Sequence, residues 1–563
     1  MVKERFISWL SFLLFPVVFL SAQDKTRITD SINFQQYQLN KQAAEQQMRQ
    51  NAYQQLEKQL QTPGLRELIL TDYQDAEIDQ RITQLANLES FSCIRCKRLD
   101  VYKLFAQLTA CKQVKKINLS GCGLQQLTNN IAALQGLEEL NLSQNALRTF
   151  PDSLIRIAGL KKLILDENKF LYDDEVYAKL QGHPQLQFIS FANAGLFSIH
   201  PSIQGLPSLR VIDYSGNGIR FLPASLRQCS LLEEVYLNRN DDLNISRVCD
   251  TLLTLPRLRV LSARECYLSV LPSSITGLRA LDKLDLAGNQ LTALPPSIGE
   301  LKNLRYLNLG YAALGTRMNK LSSLPPSIVQ LTRLEELNLC GNQLSALPSG
   351  FSALSGIMQL DLSYNAFTQI PDDIFTFFQL SSLDMTSNPL TVISPNIHQL
   401  KNLRVLKLAA NFFLKPTQKL HQLPDGICAL RQLEVLDLND QVLDSLPECI
   451  GNLAALQQLH LRNNLLTRLP QSITALSRLQ QLDLKNNEIE ILPVAFSSLM
   501  ALRDLNLAMN LKANFLRWIP ELEKMKDLQL LDLSFNNLSD EVLSALSQKL
   551  GKGCSIRAQD YKK

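Results

Sequence analysis

Leucines along this chain follow one eleven-residue pattern, with leucine or isoleucine at positions 1, 4, 6 and 11 and asparagine at position 9. The pattern is complete in LEELNLSQNAL from Leu137, LDKLDLAGNQL from Leu281, LEELNLCGNQL from Leu334 and LQQLDLKNNEI from Leu479. Positions 4 and 6 flank a polar residue, which is the alternation of a strand with one buried face. Each copy therefore predicts a short strand followed by a turn.

A second apolar motif follows several copies of the first, as in LPPSIGEL from Leu294 and LPQSITAL from Leu469. Its proline lies on the return path, where no sheet donor is needed, and its isoleucine and last leucine point inward. One copy cannot bury its own leucine face, so neighbouring copies must stack into a continuous core. We therefore expect Leu286, Leu339 and Leu484 to be fully buried.

These strings resemble the leucine-rich-repeat family, in its subclass with a Leu-Pro step, over roughly residues 65 to 550. The resemblance implies an α/β fold, a right-handed solenoid or horseshoe with a parallel sheet on its concave face and helical or irregular segments on its convex face. It also implies a protein-binding role. Similar repeats occur in Ras-pathway scaffolds, plant-type immune receptors and bacterial proteins, so the resemblance alone names no partner.

The asparagine column can be followed through the array, and a buried asparagine there can bond backbone groups of neighbouring turns. The column runs through Tyr73, Cys96, Cys122, Asn145, Asn168, Ala194, Asn217, Asn240, Cys266, Asn289, Ala312, Asn342, Asn365, Asn388, Asn411, Gln441, Asn464, Asn487, Asn510 and Asn536. It predicts an array of about 20 repeats over residues 63–539. Extra residues follow every third or fourth column position, Ala312 and Asn411 among them, either as block duplications or as loops on one flank.

The N-terminus has the order of a secretory signal peptide. Lys3 and Arg5 precede an apolar run over residues 6–20, and cleavage is expected after Ala22, so residues 1–22 are predicted to be removed. The alternative is an uncleaved membrane anchor, for which the run is short. No later stretch approaches membrane-spanning length, so we expect an exported chain with no stable membrane span.

Two further segments lie outside the repeats. Residues 23–62 are rich in glutamine, and Ala44, Met48, Ala52 and Leu56 recur at intervals of four, which predicts a helical N-terminal cap or spacer. Residues 540–563 contain a last predicted helix and a short strand-like stretch. They are expected to form a C-terminal cap over the open end of the core.

The chain has eleven cysteines, so at least one is unpaired or bonded to another chain. Six have buried structural positions in the repeat frame, namely Cys93, Cys96, Cys111, Cys122, Cys229 and Cys266. Although Cys93 and Cys96 form a C-x-x-C, the frame explains each separately, so we expect neither metal binding nor a mutual disulfide. Cys428 and Cys449 lie in adjacent repeats, and a disulfide between them depends on the directions of their Cβ atoms.

Catalytic chemistry is not indicated. The sequence has no G-x-S-x-G, no H-E-x-x-H and no phosphate loop, and only His460 among five histidines lies on the concave strand column. We therefore predict no catalytic residue, no cofactor and no metal site. An enzyme with a site hidden in the inserts remains the remote alternative. The net charge of +4 over 563 residues does not predict a nucleic-acid partner.

The concave strand column between the two buried leucines is rich in acidic residues, namely Asp213, Asp285, Asp361, Asp384, Asp437, Asp483 and Asp532. They are either solvated side chains typical of the subclass or a ladder for a cation or a basic partner. Exposed aromatic residues on such a surface are common binding anchors. The candidate partner-binding residues are Tyr236, Tyr306, Tyr311, Tyr364, Lys407 and Phe412.

Two long inserts are expected to border this surface, ALGTRMNKLSSLP from Ala313 and FFLKPTQKLHQLP from Phe412. Each is predicted to leave the strand edge just after the asparagine column, and strand spacing places them about 19 Å apart. The alternative is that they are harmless insertions, because long surface loops cost little. Farther along, Phe515 and Trp518 are expected to pack a lengthened convex helix.

The sequence therefore predicts an exported, non-catalytic module that recognises a protein on its concave face and lateral loops. The alternative is an intracellular signalling scaffold, which requires that the leader is not a signal peptide. The identity of the partner and the oligomeric state do not follow from the sequence.

Overall fold

Short parallel strands recur along the computed structural model, which describes residues 31–311, 317–550 and 553–559. The predicted signal peptide and Ala312 lie outside the described residues. The chain divides into two units, Met1–Leu180 and Gln181–Lys563. Within the described residues, no helix has both the length and the apolar character needed to cross a membrane.

The first unit pairs β1 with β2, β2 with β3, β3 with β4 and β4 with β5, all in parallel. The strands are β1 Glu67–Thr71, β2 Ser90–Ile94, β3 Lys116–Asn118, β4 Glu139–Asn141 and β5 Lys162–Ile164. The α-helices are α1 Ser31–Leu60, α2 Val101–Leu108 and α3 Asp173–Leu180. Short 3-10 helices on the return path are Gln80–Gln84, Asn129–Ala133 and Asp152–Arg156.

The second unit continues the same arrangement, and each strand from β6 to β21 pairs in parallel with the next. The strands are β6 Phe188–Ser190, β7 Val211–Asp213, β8 Glu234–Tyr236, β9 Val260–Ser262, β10 Lys283–Asp285, β11 Tyr306–Asn308, β12 Glu336–Asn338, β13 Gln359–Asp361, β14 Ser382–Asp384, β15 Val405–Lys407, β16 Val435–Asp437, β17 Gln458–His460, β18 Gln481–Asp483, β19 Asp504–Asn506, β20 Leu530–Asp532 and β21 Ser555–Arg557.

Helical turns carry the chain of the second unit back to the next strand. The α-helices are α4 Ile245–Leu252, α5 Phe515–Leu522 and α6 Asp540–Leu550. The 3-10 helices are Pro201–Gly205, Ala224–Gln228, Ser273–Gly277, Ile298–Glu300, Pro326–Gln330, Phe351–Ala353, Asp372–Thr376, Pro395–Gln399, Pro416–Gln418, Asp425–Ala429, Ile450–Asn452, Gln471–Ala475 and Phe496–Ser498. These elements confirm the predicted α/β repeat solenoid with a parallel sheet.

The core is the stacked leucine column that the repeat pattern predicts. Leu286, Leu339 and Leu484 are each 0% exposed, which confirms their predicted burial. The strands pair in exact repeat register, so that Leu284 lies opposite Leu307. Within each unit, paired repeats thereby place a leucine or another apolar residue, such as Ile117 or Val235, at the same level of the core.

The asparagine column forms the predicted hydrogen bonds between turns. Asn145 donates from Nδ2 to the carbonyl oxygens of Leu119, 2.9 Å away, and Leu142, 2.8 Å away. Its Oδ1 accepts from the backbone N–H of Leu124 at 3.0 Å. The same pattern recurs at Asn168, so one buried amide satisfies backbone groups of two successive repeats.

The predicted column is wrong at two of its positions, Ala312 and Asn411. Asn411 is not buried, and within the described residues its side chain accepts only from the N–H of Phe413. Asn319, rather than Ala312, makes the column's bonds: its Nδ2 donates to the carbonyl oxygens of Leu286 and Leu309, and its Oδ1 accepts from the N–H of Leu291. The extra residues of this repeat therefore precede its column position and do not follow it. The longer spacing therefore keeps a buried amide in this repeat.

The structure also corrects the prediction for the first C-x-x-C. Cys93 and Cys96 form a disulfide, with Cα atoms 5.9 Å apart, and both are fully buried. Between them, Arg95 adopts a left-handed backbone conformation with φ of 57°. This turn brings Cys96 back to the same side of the backbone as Cys93. The repeat pattern correctly predicted that both cysteines point inward, but it assigned each an independent structural role and so missed the bond between them.

The remaining cysteines are mostly structural. Cys428 and Cys449 form the disulfide that the sequence left open, with Cα atoms 5.8 Å apart. Cys122 and Cys266 occupy the asparagine column, and each thiol donates to a backbone carbonyl of an earlier repeat. Burial raises the pKa of Cys122 to about 11 and that of Cys266 to about 12, so both remain protonated at neutral pH.

Both flanks of the repeats pack on the core. In α1, Ala52 and Leu56 are buried, and Gln59 exchanges hydrogen bonds with the backbone of Ile69 on β1. At the other end, β21 pairs with β20, and Leu546 of α6 is fully buried. The expected packing of Phe515 and Trp518 is confirmed, because both are buried and their ring centroids lie 4.9 Å apart in α5.

Candidate binding surface

The strand residues that face away from the leucine core form two columns. The first contains Tyr306, which aligns with Lys283 on β10 and Glu336 on β12. The second contains Lys407, which aligns with Asp384 on β14. The repeat register therefore sets which side chains are neighbours on this face of the sheet.

The aspartates of the second column have a local structural role. Each accepts a hydrogen bond from the backbone N–H two residues later, where the chain leaves the strand; Asp361 accepts from Ser363 at 2.9 Å and Asp437 from Asn439 at 3.0 Å. The same bond recurs at Asp213, Asp285, Asp384, Asp483 and Asp532. This bond explains the acidic column without a ligand.

Tyr306 is half-buried, and one face of its ring is covered. The Lys283 ammonium lies 4.3 Å from the ring centroid, a distance at which a cation is attracted to the aromatic face. Burial, with a further contribution from Asp285, raises the pKa of the Tyr306 phenol. The hydroxyl therefore stays protonated at neutral pH and can donate a hydrogen bond.

A shallow groove of about 250 Å³ runs from Tyr306 to Lys407 across β11 to β15. Its floor contains Asp361 and Asp384, and the Lys407 ammonium lies 3.3 Å from the Asp384 carboxylate. Burial raises the pKa of Asp361. The groove thus joins two predicted residues and presents a hydrogen-bonding floor between them.

Tyr311 and Tyr364 form an aromatic pair beyond the C-terminal ends of the strands. Their ring centroids lie 5.8 Å apart in an edge-to-face arrangement, and the residues are 37% and 47% exposed. Tyr364 has a left-handed backbone with φ of 53°, immediately before the buried Asn365. That turn leaves the side chain on the surface while the next residue enters the core.

Tyr311 of this pair lies over Gly341, which also has a left-handed backbone, with φ of 70°. A Cβ atom at this glycine would lie 3.2 Å from Cβ and Cδ1 of Tyr311 and 3.5 Å from the sulfur of Met318. Met318 is 49% exposed and extends the apolar surface beside the tyrosines. The sequence prediction omitted Met318, although its place beside Asn319 could have indicated it.

Phe412 is 76% exposed and forms an edge-to-face contact with Phe413, which is 89% exposed. Both follow β15, whereas Tyr364 follows β13, so two strand steps, or about 10 Å, separate these loops along the sheet. Phe413 was not among the predicted binding residues. The sequence could have indicated it, because it is a second phenylalanine directly after Phe412.

Tyr236 lies apart from the other candidates. It is on β8, three strands from Tyr306 on β11, and its hydroxyl donates to the Glu234 carboxylate at 2.6 Å. Burial and this hydrogen bond raise the pKa of the Tyr236 phenol. The structure therefore places Tyr306 and Lys407 at the two ends of one groove and brings Tyr311 and Tyr364 into contact, but leaves Tyr236 outside both groups.

The first insert is tied to earlier repeats by Arg317. Its guanidinium stacks over the Tyr267 ring, 3.6 Å from the centroid, and donates to the carbonyl oxygen of Glu265 at 2.6 Å. It also pairs with Asp241 at 3.0 Å. The sequence offered no signal for this contact, because Arg317 reaches back across more than fifty residues of chain.

Among the residues that the structure describes, no group of three or more His, Cys, Asp or Glu side chains is arranged to hold a metal ion. His460 aligns with Asp437 on one side and Asp483 on the other. The surface as a whole presents aromatic edges, the ammoniums of Lys283 and Lys407, and hydrogen-bonding carboxylates. It is chemically suited to contacting another molecule's surface.

Two sequence-family models match the chain. The model described as "Leucine-rich repeat region" matches residues 379–560, and the model described as "Leucine rich repeat" matches residues 112–170 and 281–344. Together these segments cover more than half of the chain.

Solved structures are also similar. A leucine-rich-repeat protein of Leptospira interrogans is 30% identical, with 77% of this chain and 94% of that chain covered and a TM-score of 0.47. The plant peptide hormone receptor RGFR1 in complex with RGF2 is 21% identical, covering 87% and 90%, with a TM-score of 0.52. The Arabidopsis receptor kinase HAESA, in complex with the peptide hormone IDA and the co-receptor SERK1, is 22% identical, covering 89% and 75%, with a TM-score of 0.53.

Proposed function

This chain belongs to the leucine-rich-repeat family, and we propose that it is an exported, non-catalytic protein that binds a protein partner. The proposed binding surface, here called the tyrosine patch, consists of Tyr306, Tyr311, Tyr364, Lys407 and Phe412. The single observation that carries the proposal is the exposed pair of Tyr311 and Tyr364, held in contact beside a groove.

The chemistry of the patch favours a protein partner. Tyrosine is enriched at the energetic centres of protein interfaces, because its ring gives a large contact area at low entropic cost and its hydroxyl adds a hydrogen bond. Lys407 and the acidic residues on the floor of the groove supply polar contacts beside the tyrosines. The two plant receptors with the same fold are described in complexes with peptide hormones, which supports the same type of role here.

Export is supported by the cysteines as well as by the predicted leader. The disulfides Cys93–Cys96 and Cys428–Cys449 belong to the class of bonds that persist in oxidising compartments outside the cytoplasm. We also propose that the chain belongs to the leucine-rich-repeat subclass with a Leu-Pro step, because this step follows many of its strands. N-terminal sequencing of secreted material tests the leader, since the proposal expects the mature chain to begin at or near Gln23.

We also propose cap roles for the two flanks. The contacts of α1 with β1, and of α6 and β21 with the last repeats, cover apolar residues at each end of the described array. Terminal units with a polar outer face keep repeat proteins soluble. Deleting residues 540–563 should therefore cause aggregation of a chain that is otherwise monodisperse by size-exclusion chromatography.

The proposed function is tested by measuring affinity for the protein recovered with the mature chain. The double variant Tyr311→Ala, Tyr364→Ala should weaken binding roughly 1,000-fold, since central tyrosines at interfaces each contribute on the order of 2 kcal/mol. The matched control is Tyr102→Ala, Tyr172→Ala, which removes two tyrosines that are 60% and 71% exposed in the first unit. If the double variant at the patch binds as tightly as this control, the patch is not the binding site.

A further inference from the structure

A second surface lies at the opposite ends of the same strands. Arg259, Asp282, Arg305 and Glu335 each precede a strand, from β9 to β12. Their backbones are bonded in a row, because the N–H of Asp282 donates to the carbonyl of Arg259, and that of Arg305 to the carbonyl of Asp282. The side chains therefore form one column along the N-terminal edge of the sheet.

A parallel column lies two residues earlier in each repeat and contains Arg257, Ala280, Asn303 and Arg333. Arg333 donates to the Asn303 side chain at 2.8 Å. Ala280 has the only side chain of this set that ends at Cβ, and it lies between the arginines. Together the two columns line a groove of about 620 Å³, here called the arginine groove.

The charges of the groove are unevenly matched. Arg305 pairs with Glu335 at 2.5 Å, and the nearby Glu233 is paired with Arg210 at 2.7 Å. Within the described part of the chain, neither Arg257 nor Arg259 has an ion-pair or side-chain hydrogen-bond partner. These guanidiniums are exposed and available to a ligand's carboxylates, which they can bind through two parallel hydrogen bonds.

We propose that the arginine groove binds an extended peptide segment that carries two carboxylates, of the Glu-x-x-Glu type. Arg257 and Arg259 lie on one side of Ala280, and Arg305 and Arg333 lie on the other. Arg259 and Arg305 are two strand steps apart, or about 10 Å. In an extended peptide of polyproline II conformation, which has three residues per turn and a rise of about 3.1 Å, side chains three residues apart lie on the same side and about 9 Å apart.

The groove favours a peptide over a uniformly charged polymer because of Asp282. This half-buried carboxylate lies between the two arginine pairs and lines the groove. It can accept a hydrogen bond from a peptide N–H, whereas it repels the closely spaced phosphates or sulfates of a nucleic acid or a sulfated glycan. The proposed ligand therefore has discrete acids separated by neutral backbone.

The test uses ligand-observed saturation-transfer NMR, which detects weak binding, with the acetylated peptide Gly-Glu-Gly-Gly-Glu-Gly and the full mature chain. The same peptide with glutamine in place of glutamate is the ligand control. We expect the glutamate peptide to bind at least about tenfold more tightly, because each charge-assisted hydrogen bond is roughly twice as strong as a neutral one. Absence of binding by the glutamate peptide, or equal binding by both peptides, would overturn the proposal.

Variants distinguish specific binding in this groove from nonspecific attraction to positive charge elsewhere on the protein. Arg257→Ala, Arg259→Ala should weaken binding of the glutamate peptide about tenfold. The matched control is Arg478→Ala, Arg503→Ala, which removes the same charge from the corresponding positions of later repeats, where the column neighbours Gln457, Gln480 and Gln529 are neutral. If both double variants lose the same affinity, the binding is nonspecific and the groove is not a site.

Two further arms decide between ligands and between proposals. A heparin-derived hexasaccharide should bind more weakly than the glutamate peptide at equal ionic strength. If the hexasaccharide binds more tightly than the peptide, and Asp282→Asn increases its affinity further, the ligand is a polyanion and the proposal is refuted. The variant Tyr311→Ala, Tyr364→Ala should bind the peptide as wild type does. If the tyrosine patch does not bind a partner, the proposal for the arginine groove is therefore unaffected. Likewise, failure of the peptide to bind the arginine groove does not affect the proposal for the tyrosine patch.

Discussion

The two long inserts of the second unit show how differently extra residues can be attached to the same repeat. In the first, the added residues precede the column asparagine, so Asn319 anchors the far end of the insert in the core. In the second, Asn411 directly follows the strand region, and the next repeat's Gln441 donates to the carbonyl of Leu408. Phe412 and Phe413 then project with most of their surface exposed.

The difference indicates that residues placed directly before the buried amide, such as Arg317 and Met318, are held against the array. At the first insert, the anchored end carries Arg317 and Met318 into contact with neighbouring repeats, and Tyr311 packs on Tyr364. At the second, the two phenylalanines contact each other. Residues held in this way provide a preformed surface, which binds with a smaller entropic cost than a loop that must become ordered.

The largest expected effect comes from removing the anchor. Asn319→Ala should lower the free energy of local opening around β11 and β12 by about 3 kcal/mol, because two buried carbonyls and one N–H lose their partner. Asn411→Ala should cost about 0.5 to 1 kcal/mol, because its side chain accepts one bond from an exposed residue. Amide hydrogen exchange measured by mass spectrometry compares them locally, and equal effects would contradict the proposed difference in anchoring.

A smaller effect is expected at Gly341, the glycine under Tyr311. Gly341→Ala should cost about 1 kcal/mol for a left-handed alanine and should also displace the Tyr311 ring. Gly123→Ala is the matched control, since φ there is 72° but no atom lies within 4 Å of the added Cβ. Thermal unfolding should shift similarly in both variants, whereas only Gly341→Ala should weaken partner binding. Unchanged binding would show that the aromatic pair is not a contact surface.

Loss of the Arg317 contacts should have a more modest effect. Arg317→Ala removes the stack on Tyr267 and the bonds to Asp241 and Glu265, and is expected to cost about 0.5 to 1 kcal/mol. The lysine variant should behave nearly as the alanine variant does, because an ammonium cannot stack as a planar guanidinium does. Limited proteolysis within the insert measures this, and full protection in the lysine variant would argue against stacking.

The smallest effect on stability is expected in the second insert. Phe412→Ser, Phe413→Ser should change the free energy of unfolding by less than about 0.5 kcal/mol, since both side chains are exposed. Partner affinity should nevertheless fall, because Phe412 belongs to the proposed patch. A large loss of stability in urea unfolding would show instead that these rings pack against the array.

The strand register and the leucine core could be predicted from the sequence because the repeat pattern encodes both directly. The misplaced column position at Ala312 arose because counting started from the preceding leucines. Counting back from the next leucine finds Asn319 in NKL, which retains the N-x-L end of the motif. In the structure, the buried amide keeps its spacing to the leucine that follows it, so the position is found correctly by counting back from that leucine.

The site could be predicted only in part. The pairing of Tyr311 with Tyr364 depends on an insert whose course no local pattern encodes, and Tyr236 is separated from the other tyrosines by its position on β8. The Cys93–Cys96 disulfide depends on the left-handed turn at Arg95, a residue type that gives no signal for that conformation. Side-chain contacts that bridge repeats, such as the stack of Arg317 on Tyr267, require the three-dimensional structure.

Site-specific photo-crosslinking tests the central claim most directly. Benzoylphenylalanine placed at Tyr364 is compared with the same group placed at Tyr172, which is even more exposed but lies in the first unit. The account predicts a covalent adduct with the protein partner at Tyr364 and none at Tyr172. An adduct at Tyr172 together with none at Tyr364 would contradict it and place the binding surface in the other unit.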